Sequence, residues 1–366
     1  MKGVRVRTTG TVRVVGAGLL GASTGLGLRA LDVDVVLADP SPSALALAVD
    51  LGAGRRAATD DRPALVVVAA PPDVTAEVVA RELAAHPEAV VTDVASVKHG
   101  VRDALVAAGA PTARYVGGHP MAGRERSGAV AARGDLFVGR PWVVAADDAD
   151  EAAVGAVHDL VLDLGALPVV MGGRDHDDAV ALVSHLPQLA ATLVAARLRD
   201  APGAAVDLAG QGLRDVTRIA ASDPGLWVQI LGANAGPVAH LLRAVRDDLD
   251  GVLDALEALD ADPHAPGARA ALARAVAAGN DGVARVPGKH GAPPTTYALV
   301  TVVVPDRPGE LGRLLAEMGE IGVNLEDLHL EHSPGQPVGL AELSVLPGAR
   351  EHLESSLTAR GWTVHA

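Results

Sequence analysis

The chain has 366 residues, of which 49% are hydrophobic and 21% charged, and its formal net charge at pH 7 is −14. This length predicts two or three domains, and this composition excludes an intrinsically disordered chain. With no cysteine and only three Trp, two Tyr and one Phe, the sequence excludes disulfide scaffolds, thiol nucleophiles and Cys-ligated zinc, and disfavours nucleic-acid binding.

Residues 10–172 alternate between short runs rich in β-branched residues and stretches with helical periodicity. Nearly continuous apolar strands separated by helices predict a parallel sheet covered on both faces, which is an α/β arrangement. The predicted strands are Val12–Val15, Val35–Ala38, Leu65–Ala69, Ala89–Thr92, Tyr115–Gly117, Pro141–Ala145 and Leu167–Val170.

Residues 173–278 carry long Ala, Leu and Val stretches with polar residues at helical spacing and no convincing strand. Apolar residues between Leu241 and Leu259 follow the i, i+3, i+4, i+7 pattern, which predicts an all-α domain. Because this segment is so rich in Ala and Leu, we expect it to pair with a second copy in a homodimer. Residues 279–295 are rich in Gly and Pro without periodicity and are predicted to form a linker.

Residues 296–366 follow the order β-α-β-β-α-β, which is the ferredoxin-like arrangement and predicts a separate small domain. The predicted elements are the strands Tyr297–Val304, Leu325–His332, Leu340–Leu346 and Trp362–His365 and the helices Glu310–Ile321 and Ala349–Arg360. No uninterrupted apolar run reaches the roughly 18 residues that span a bilayer, and we recognise no signal peptide, so we expect a cytoplasmic protein.

The strongest local pattern is Gly16-Ala17-Gly18-Leu19-Leu20-Gly21, which directly follows a predicted strand and opens a predicted helix. In this context the first glycine permits a tight turn, the second lets a pyrophosphate approach the backbone, and the third allows close helix packing. Asp39, at the end of the second strand, suits a ribose 2′-hydroxyl, so the pattern predicts a Rossmann-type domain that binds NAD. Arg55 and Arg56 leave NADP open, and a glycine-rich turn without a ligand is the structural alternative.

Three further residues follow the carboxyl ends of predicted strands, where such sheets bind their ligands. Pro71 either belongs to the cofactor site or forms an ordinary turn. Ser96 either hydrogen-bonds a substrate hydroxyl or caps a helix that begins at Val97. His119 lies in a predicted glycine-flanked loop, where it can act as a general base near neutral pH or serve as a structural loop histidine.

The helical segment supplies the remaining candidates. His176 and His185 are nine residues apart and no acid completes a zinc pattern, so we expect no metal. His176 is predicted to be a helix-start residue, whereas His185 is either a satisfied core histidine or a site residue. Arg214 and Arg218, spaced i, i+4, either form a solvated charged face or bind a dicarboxylate substrate.

Taken in order, these segments resemble the prephenate dehydrogenase family of tyrosine biosynthesis, over residues 12 to about 260. The segments that carry the resemblance are GAGLLG, Asp39, DVASVK, GGHPMAG-x-E, HDDAVALVSHLPQ and GLRDVTRIAASDPGLW. The C-terminal segment resembles an ACT domain, which some bacterial members carry and which implies feedback control by an aromatic amino acid or dimerisation alone. The effector-binding residues implied by that resemblance are Asp306, Pro308, Gly309, Leu311, Asn324 and Leu325.

The resemblance implies oxidative decarboxylation of prephenate with NAD as the hydride acceptor. His119 would take the proton of the substrate's C4 hydroxyl, and Ser96 would orient that hydroxyl. Arg218 would hold a substrate carboxylate, Arg214 would add positive potential, and His185 would lie in the substrate site.

Gln188 departs from the family pattern, because many relatives carry a second histidine at this position. A neutral amide could tolerate either a keto group or an ammonium, so arogenate dehydrogenase and dual cyclohexadienyl dehydrogenase activity stay open. Trp227, near the implied site, either lines the substrate pocket or packs in the core.

Two interpretations compete with the resemblance. A β-hydroxyacid or imine reductase would share the domain plan, but the hydroxyacid branch typically relies on a Lys in the helical domain, and none occurs between residues 99 and 288. A non-catalytic sensor of nucleotides and amino acids would have no use for the GGHP and SHLP motifs.

Overall fold

The structure is a computed structural model that describes residues 6–122, 128–287, 296–332 and 337–365. The chain forms two compact units, one of Met1–Ala196 with Ile219–Ala244 and the other of Arg197–Arg218 with Val245–Ala366. This division differs from the predicted three domains, because part of the helical segment groups with the C-terminal residues.

One eight-stranded sheet forms the centre of the first unit. Its strands are β1 (Thr11–Val15), β2 (Val35–Ala38), β3 (Arg55–Arg56), β4 (Pro63–Val68), β5 (Val90–Asp93), β6 (Tyr115–Pro120), β7 (Pro141–Ala145) and β8 (Leu167–Met171). They lie in the order β3-β2-β1-β4-β5-β6-β7-β8, and the first six are parallel. This order of the first six strands is that of a dinucleotide-binding fold.

The prediction of a wholly parallel sheet is wrong at one edge. Strand β7 pairs antiparallel with β6, and β8 pairs parallel with β7. Parallel neighbours need a crossover of a dozen or more residues, usually a helix. Among the described residues between β6 and β7, the regular structure is one 3-10 turn, Ala129–Ala131, so the helix that usually makes a parallel crossover does not occur among them.

Apolar side chains from alternate positions of the strands fill both faces of the sheet. Val12, Val14 and Leu65 belong to one buried cluster, whereas Val15 and Val66 belong to another on the opposite face. The helices of this part are α1 (Leu19–Arg29), α2 (Pro42–Asp50), α3 (Thr75–Ala85), α4 (His99–Ala107) and α5 (Glu151–Asp163).

Helices make up the middle of the chain, as the sequence predicts. They are α6 (Gly173–Val180), α7 (Leu186–Arg197), α8 (Gly203–Val206), α9 (Gln211–Thr217), α10 (Pro224–Ala233), α11 (Ala235–Ala261) and α12 (Ala268–Val283). The predicted linker therefore starts too early, because α12 continues through Gly279 and Gly282, among alanines that favour a helix. Residues 288–295 of that linker lie outside the described residues.

A π-helical turn, Ala181–His185, joins α6 to α7 without a break. Pro187 follows this turn. A proline has no backbone N–H to donate, and its ring crowds the carbonyl four residues earlier, so the wider π-turn accommodates Pro187 within the helix. The whole helix, Gly173–Arg197, has 25 residues, and an 18-residue stretch of it has a mean hydropathy of 1.6, which by length and composition alone is enough to cross a membrane. It nevertheless buries three ionisable side chains, His176, Asp177 and His185.

The C-terminal part has the predicted β-α-β-β-α-β order. Its elements are β9 (Ala298–Pro305), α13 (Glu310–Ile321), β10 (Asp327–His332), β11 (Val338–Val345), α14 (Arg350–Ala359) and β12 (Thr363–His365). The strands form an antiparallel sheet in the order β10-β11-β9-β12. One buried cluster, which includes Val302, Leu314, Leu343 and Leu353, joins the two helices to this sheet.

Candidate active site

The glycine-rich turn between β1 and α1 is shaped by the backbone of neighbouring strands. Gly16 has φ of 107°, and a Cβ on it would lie 2.2 Å from the carbonyl oxygen of Ala69. A Cβ on Gly21 would lie 1.9 Å from the carbonyl oxygen of Gly16. A Cβ on Gly18 would meet nothing within 4 Å, so the backbone beside it faces open space.

This open backbone fits a dinucleotide phosphate. Gly18 is also the N-cap of α1, and no side chain caps that end of the helix. Helix N-termini with free N–H groups bind anions, and the absence of a side chain at Gly18 leaves room for one. The predicted cofactor residues Ala17, Leu19 and Leu20 lie in the same turn.

Asp39 holds this turn in place. Its Oδ2 accepts a hydrogen bond from the backbone N–H of Ala17 at 2.6 Å, and its Oδ1 accepts one from Ser41 at 2.7 Å. Asp39 therefore ties the glycine turn to the end of β2, a structural role that the sequence did not predict. Pro71, in the loop after β4, is exposed, and its carbonyl accepts a hydrogen bond from Oγ1 of Thr75 at 2.9 Å.

Ser96 does not cap the following helix, so that alternative is wrong. Helix α4 begins at His99, its N-cap is Lys98, and no side chain of its N-cap closes it. Instead, Asp177 reaches in from α6, and its two carboxylate oxygens accept the backbone N–H groups of Lys98 and His99 at 2.8 and 2.9 Å. Ser96 is half-buried in the loop before these residues.

His119 lies inside β6 rather than in a loop, because pairing of His119 with Val143 on β7 extends the strand to Pro120. Its Nδ1 lies 2.8 Å from Nε2 of His176, and the two rings meet edge to face. Burial lowers the pKa of His119 well below the ordinary value of 6.5, and repulsion from His176, Lys98 and His185 lowers it further. The imidazole is therefore neutral at pH 7.

A buried ionic cluster supports the strand that carries His119. Lys98 is 1% exposed, and its Nζ pairs with Asp93 and donates a 2.7 Å hydrogen bond to the carbonyl of Gly118. The hydroxyl of Tyr115 donates to the other oxygen of Asp93 at 2.5 Å. Burial lowers the pKa of Lys98, although the carboxylate of Asp93 opposes that effect.

His185 has a partner that the sequence did not predict. Nδ2 of Asn234 lies 3.2 Å from Nδ1 of His185 and donates to the carbonyl of Asp177 at 2.8 Å. An amide nitrogen can only donate, so Nδ1 of His185 accepts, and its Nε2 carries the proton of the neutral ring. Burial lowers the pKa of His185, which agrees with a neutral ring, and the half-buried Trp227 meets this ring edge to face at 6.0 Å.

Gln188 is buried on the same helix, and its Nε2 donates to Oγ of Ser222 at 3.1 Å. Arg214 lies in α9, and Arg218 opens the 3-10 turn Arg218–Ala220, so one regular helix does not carry both of them. Both guanidinium groups are exposed, and neither pairs with a carboxylate of the described part of the chain.

Comparisons with known proteins address the identity of this arrangement. Residues 25–170 match the family model described as prephenate dehydrogenase, nucleotide-binding domain, and residues 173–265 match the one described as prephenate dehydrogenase, dimerization domain. The "Probable prephenate dehydrogenase NovF" of Streptomyces niveus is 39% identical over 97% of this chain and 99% of that protein. The chain belongs to the prephenate dehydrogenase family.

Solved structures agree with this membership. The prephenate dehydrogenase of Aquifex aeolicus, in complex with hydroxyphenyl propionate and NAD+, is 25% identical, with a TM-score of 0.64 over 76% of this chain and 99% of that chain. Arogenate dehydrogenase of Synechocystis is 25% identical, with a TM-score of 0.61 over 74% of this chain and 99% of that chain. The predicted family, the Rossmann-type domain and the helical domain are therefore confirmed.

Sequence patterns did not identify several residues of this site, or predicted another role for them. His176, predicted to start a helix, is fully buried and contacts His119, while Asp177, Asn234 and Lys98 are buried polar partners of the same site. A signal existed for the first two, since adjacent ionisable residues opening an apolar helix are unusual. No local pattern marks Asn234, because its role depends on where α10 ends. The structure holds no metal-type cluster of three or more His, Asp or Glu among the residues it describes.

The implied effector residues lie at the ends of C-terminal elements. Asp306 donates its backbone N–H to the carbonyl of Pro337 at 2.9 Å, and Gly309, with φ of 92°, precedes α13, which holds Leu311. Nδ2 of Asn324 donates to Glu326 at 2.7 Å, in the loop that also contains Leu325. Pro308 lies in the turn before Gly309.

Residues 123–125, at the end of the GGHP motif, lie outside the described residues.

Proposed function

We propose that this enzyme oxidatively decarboxylates prephenate to 4-hydroxyphenylpyruvate with NAD. NAD, when bound, supplies the hydride acceptor, and the turn at Gly16–Gly21 with Asp39 would hold it. The hydride leaves C4 of the substrate, the C4 hydroxyl loses its proton, and carbon dioxide leaves as the ring becomes aromatic. Family membership and the match to a relative solved with NAD+ support this assignment.

The observation that carries the proposal is the position of His119 on β6 and its neutral, unprotonated imidazole. It follows two small glycines on β6 beyond the carboxyl end of β5, and its pKa is lowered by burial, so its ring is neutral and able to accept a proton. Ser96, in the loop after β5, would orient the hydroxyl whose proton His119 takes.

We assign substrate binding to four side chains. Arg218 would hold a carboxylate and Arg214 would add positive potential, which an anion needs to approach a protein of net charge −14. His185 would donate from Nε2 to the substrate side chain, because Asn234 occupies its Nδ1. Gln188 would contact that side chain as a neutral amide.

The experiment measures NADH formation from prephenate and from arogenate, with NAD and with NADP. We expect turnover of prephenate with NAD in the wild type and a kcat at least about 100-fold lower in His119→Asn, with NAD binding unchanged. Near-normal turnover by His119→Asn would remove it from the base role. A higher kcat/KM with arogenate would instead favour arogenate dehydrogenase, and comparable values would favour a dual cyclohexadienyl dehydrogenase.

We infer two further properties from the exposed side chains of one helix, the order of the C-terminal elements and the family resemblance. The helical domain would form a homodimer, because exposed Leu182, Val183, Leu193 and Val194 follow one another along a single long helix. The C-terminal β-α-β-β-α-β part would be an ACT domain that binds an aromatic amino acid near the turn before α13. Equilibrium binding of Tyr, Phe and Trp to the intact chain tests the second property, and binding by none of them leaves dimerisation as its role. A cytoplasmic location remains our expectation.

A further inference from the structure

Two buried side chains, Asp177 and His176, form a continuous hydrogen-bonded row with the half-buried His119. Oδ1 of Asp177 lies 2.7 Å from Nδ1 of His176, and Nε2 of His176 lies 2.8 Å from Nδ1 of His119. His176 is fully buried and Asp177 is 5% exposed. Both come from consecutive positions of α6, whereas His119 comes from β6, so the contact depends on the packing of a helix against the sheet.

The direction of each hydrogen bond follows from the carboxylate. Burial raises the pKa of Asp177, but hydrogen bonds from His176 and from the N–H groups of Lys98 and His99 outweigh it and lower the pKa overall. An ionised carboxylate can only accept, so Nδ1 of His176 donates to it. In the tautomer that has its proton on Nδ1, Nε2 of His176 is an acceptor, and Nδ1 of His119 donates to it. The proton of the neutral His119 ring is thereby placed on Nδ1.

We propose that Asp177 and His176 are positioning residues that hold His119 in the tautomer with a free lone pair on Nε2, the atom that takes the substrate proton. This inference rests on the proposed role of His119 as the base. As the O–H bond of the C4 hydroxyl breaks, an N–H bond forms at Nε2 of His119. The other two ring protons keep their places, and the new positive charge is hydrogen-bonded through His176 to a carboxylate.

The two positioning residues differ in what else they support. Asp177 also accepts both N–H groups at the start of α4, so its removal disturbs the fold as well as the row. Among the described residues, the side chain of His176 forms hydrogen bonds with Asp177 and His119. His176 is therefore the residue whose replacement separates positioning from packing.

The first test compares His176→Leu with His176→Gln. Leu fills the volume without a polar atom, so both tautomers of His119 become accessible, and we expect kcat to fall about 100-fold with KM and NAD affinity within about threefold. Gln offers a carbonyl oxygen that can accept from Nδ1 of His119, and we expect it to restore kcat to within about tenfold of the wild type. Asp103→Asn is the matched control. It removes a carboxylate whose Oδ2 lies 3.0 Å from Nε2 of His99 on α4, and neither residue belongs to the row that ends at His119.

The second test does not depend on activity. Long-range 1H–15N spectra of 15N-histidine-labelled wild type, assigned with His119→Asn, report which ring nitrogen carries the proton. We expect His119 protonated on Nδ1 in the wild type and a mixture of tautomers in His176→Leu. Protonation on Nε2 in the wild type would overturn the inference, as would a His176→Leu enzyme that is folded and has wild-type kcat.

The acid limb of the kcat/KM profile supplies a third readout. The charged and titratable groups that face His119 are His176, Lys98 and His185, with Asp177 behind His176. Removing the negative charge in Asp177→Asn disfavours protonated His119, so we expect this limb to move to lower pH. A purely structural role for Asp177 predicts no such movement. If prephenate is not turned over but the spectra show the Nδ1 tautomer, the proposed function fails and the arrangement of the row stands.

Discussion

Nζ of Lys98 lies 2.7 Å from the carbonyl oxygen of Gly118, the residue directly before His119. This hydrogen bond links the start of α4 to the strand that presents the proposed base. Because Lys98 also neutralises the buried Asp93, one side chain maintains both the charge balance and the position of this strand.

Replacing Lys98 with Met should destabilise the protein strongly. The variant leaves the carboxylate of Asp93 buried with Tyr115 and a backbone N–H as its donors, and we expect a loss of about 3 kcal/mol or more in the free energy of unfolding, measured in urea. The double variant with Asp93→Asn should recover part of that loss. Arg246→Met, which breaks an exposed pair with Asp247, is the control and should change stability by under about 1 kcal/mol. An equally stable Lys98→Met would contradict the ionic role of Lys98.

Alanine at Gly16 and alanine at Gly18 should have different effects. At Gly16 the new Cβ would lie 2.2 Å from a carbonyl oxygen in a left-handed conformation, so we expect a lower melting temperature. At Gly18 the new methyl group meets nothing within 4 Å beyond its own chain neighbours, so we expect an unchanged melting temperature and an NAD Kd raised about tenfold or more, measured by calorimetry. Gly155→Ala on α5, also open, should leave the NAD Kd unchanged and should not lower the melting temperature, because Ala favours a helix interior. Unchanged NAD affinity in Gly18→Ala would place the phosphates elsewhere.

The pH profile of kcat/KM should have an acid limb below pH 6.5. His119 must be neutral to accept a proton, and burial together with His176, Lys98 and His185 lowers its pKa below 6.5, so activity holds below neutrality and is lost as pH falls through that lowered value. The measurement is initial NADH formation between pH 4.5 and 8, with the folded state checked by circular dichroism. An acid limb at or above 6.5 would mean that another group controls the rate.

Truncation of Arg218 should affect substrate affinity more than turnover. We expect Arg218→Ala to raise KM for prephenate about 30-fold or more while the NAD Kd stays constant, because a charged hydrogen bond to a carboxylate is lost. Arg199→Ala, whose side chain is 85% exposed, is a matched loss of positive charge on the helical part. Equal KM values for the two variants would show that Arg218 acts only through its general positive charge.

Periodicity and turn chemistry were enough to predict most elements of the fold. The strand at Pro141–Ala145 and the helix at Glu310–Ile321 have the predicted bounds, because apolar patterning is local information. Local apolar patterning could not predict that β7 is antiparallel to β6, because strand direction depends on the path of the chain between the two strands. The helix through Gly279 was missed for a related reason, because a Gly-rich composition indicates a linker even where surrounding alanines sustain a helix.

The residues of the site also differ in whether local sequence patterns could predict them. The glycine turn, Asp39 and His119 were proposed as site residues because the sequence predicts a strand directly before each of them, and strand ends meet at one edge of such a sheet. His119 instead lies within β6. The partners Asp177, His176 and Asn234 were not found, because their functions arise from contacts between segments 57 residues apart in the chain. Buried polar groups must find partners, but the sequence does not say which ones.

The π-helical turn at Ala181–His185 amounts to a helix with one inserted residue. In a regular α-helix nine positions rotate a side chain by about 180°, so His176 and His185 would point to opposite sides. The wide turn removes part of that rotation, and both imidazoles are buried. Because the extra residue is absorbed within the turn, the side chains after it, such as Gln188 and Ala191, keep the directions they would have on a regular helix one residue shorter. The inserted residue therefore changes the angle between His176 and His185 without turning the rest of the helix away from the interior.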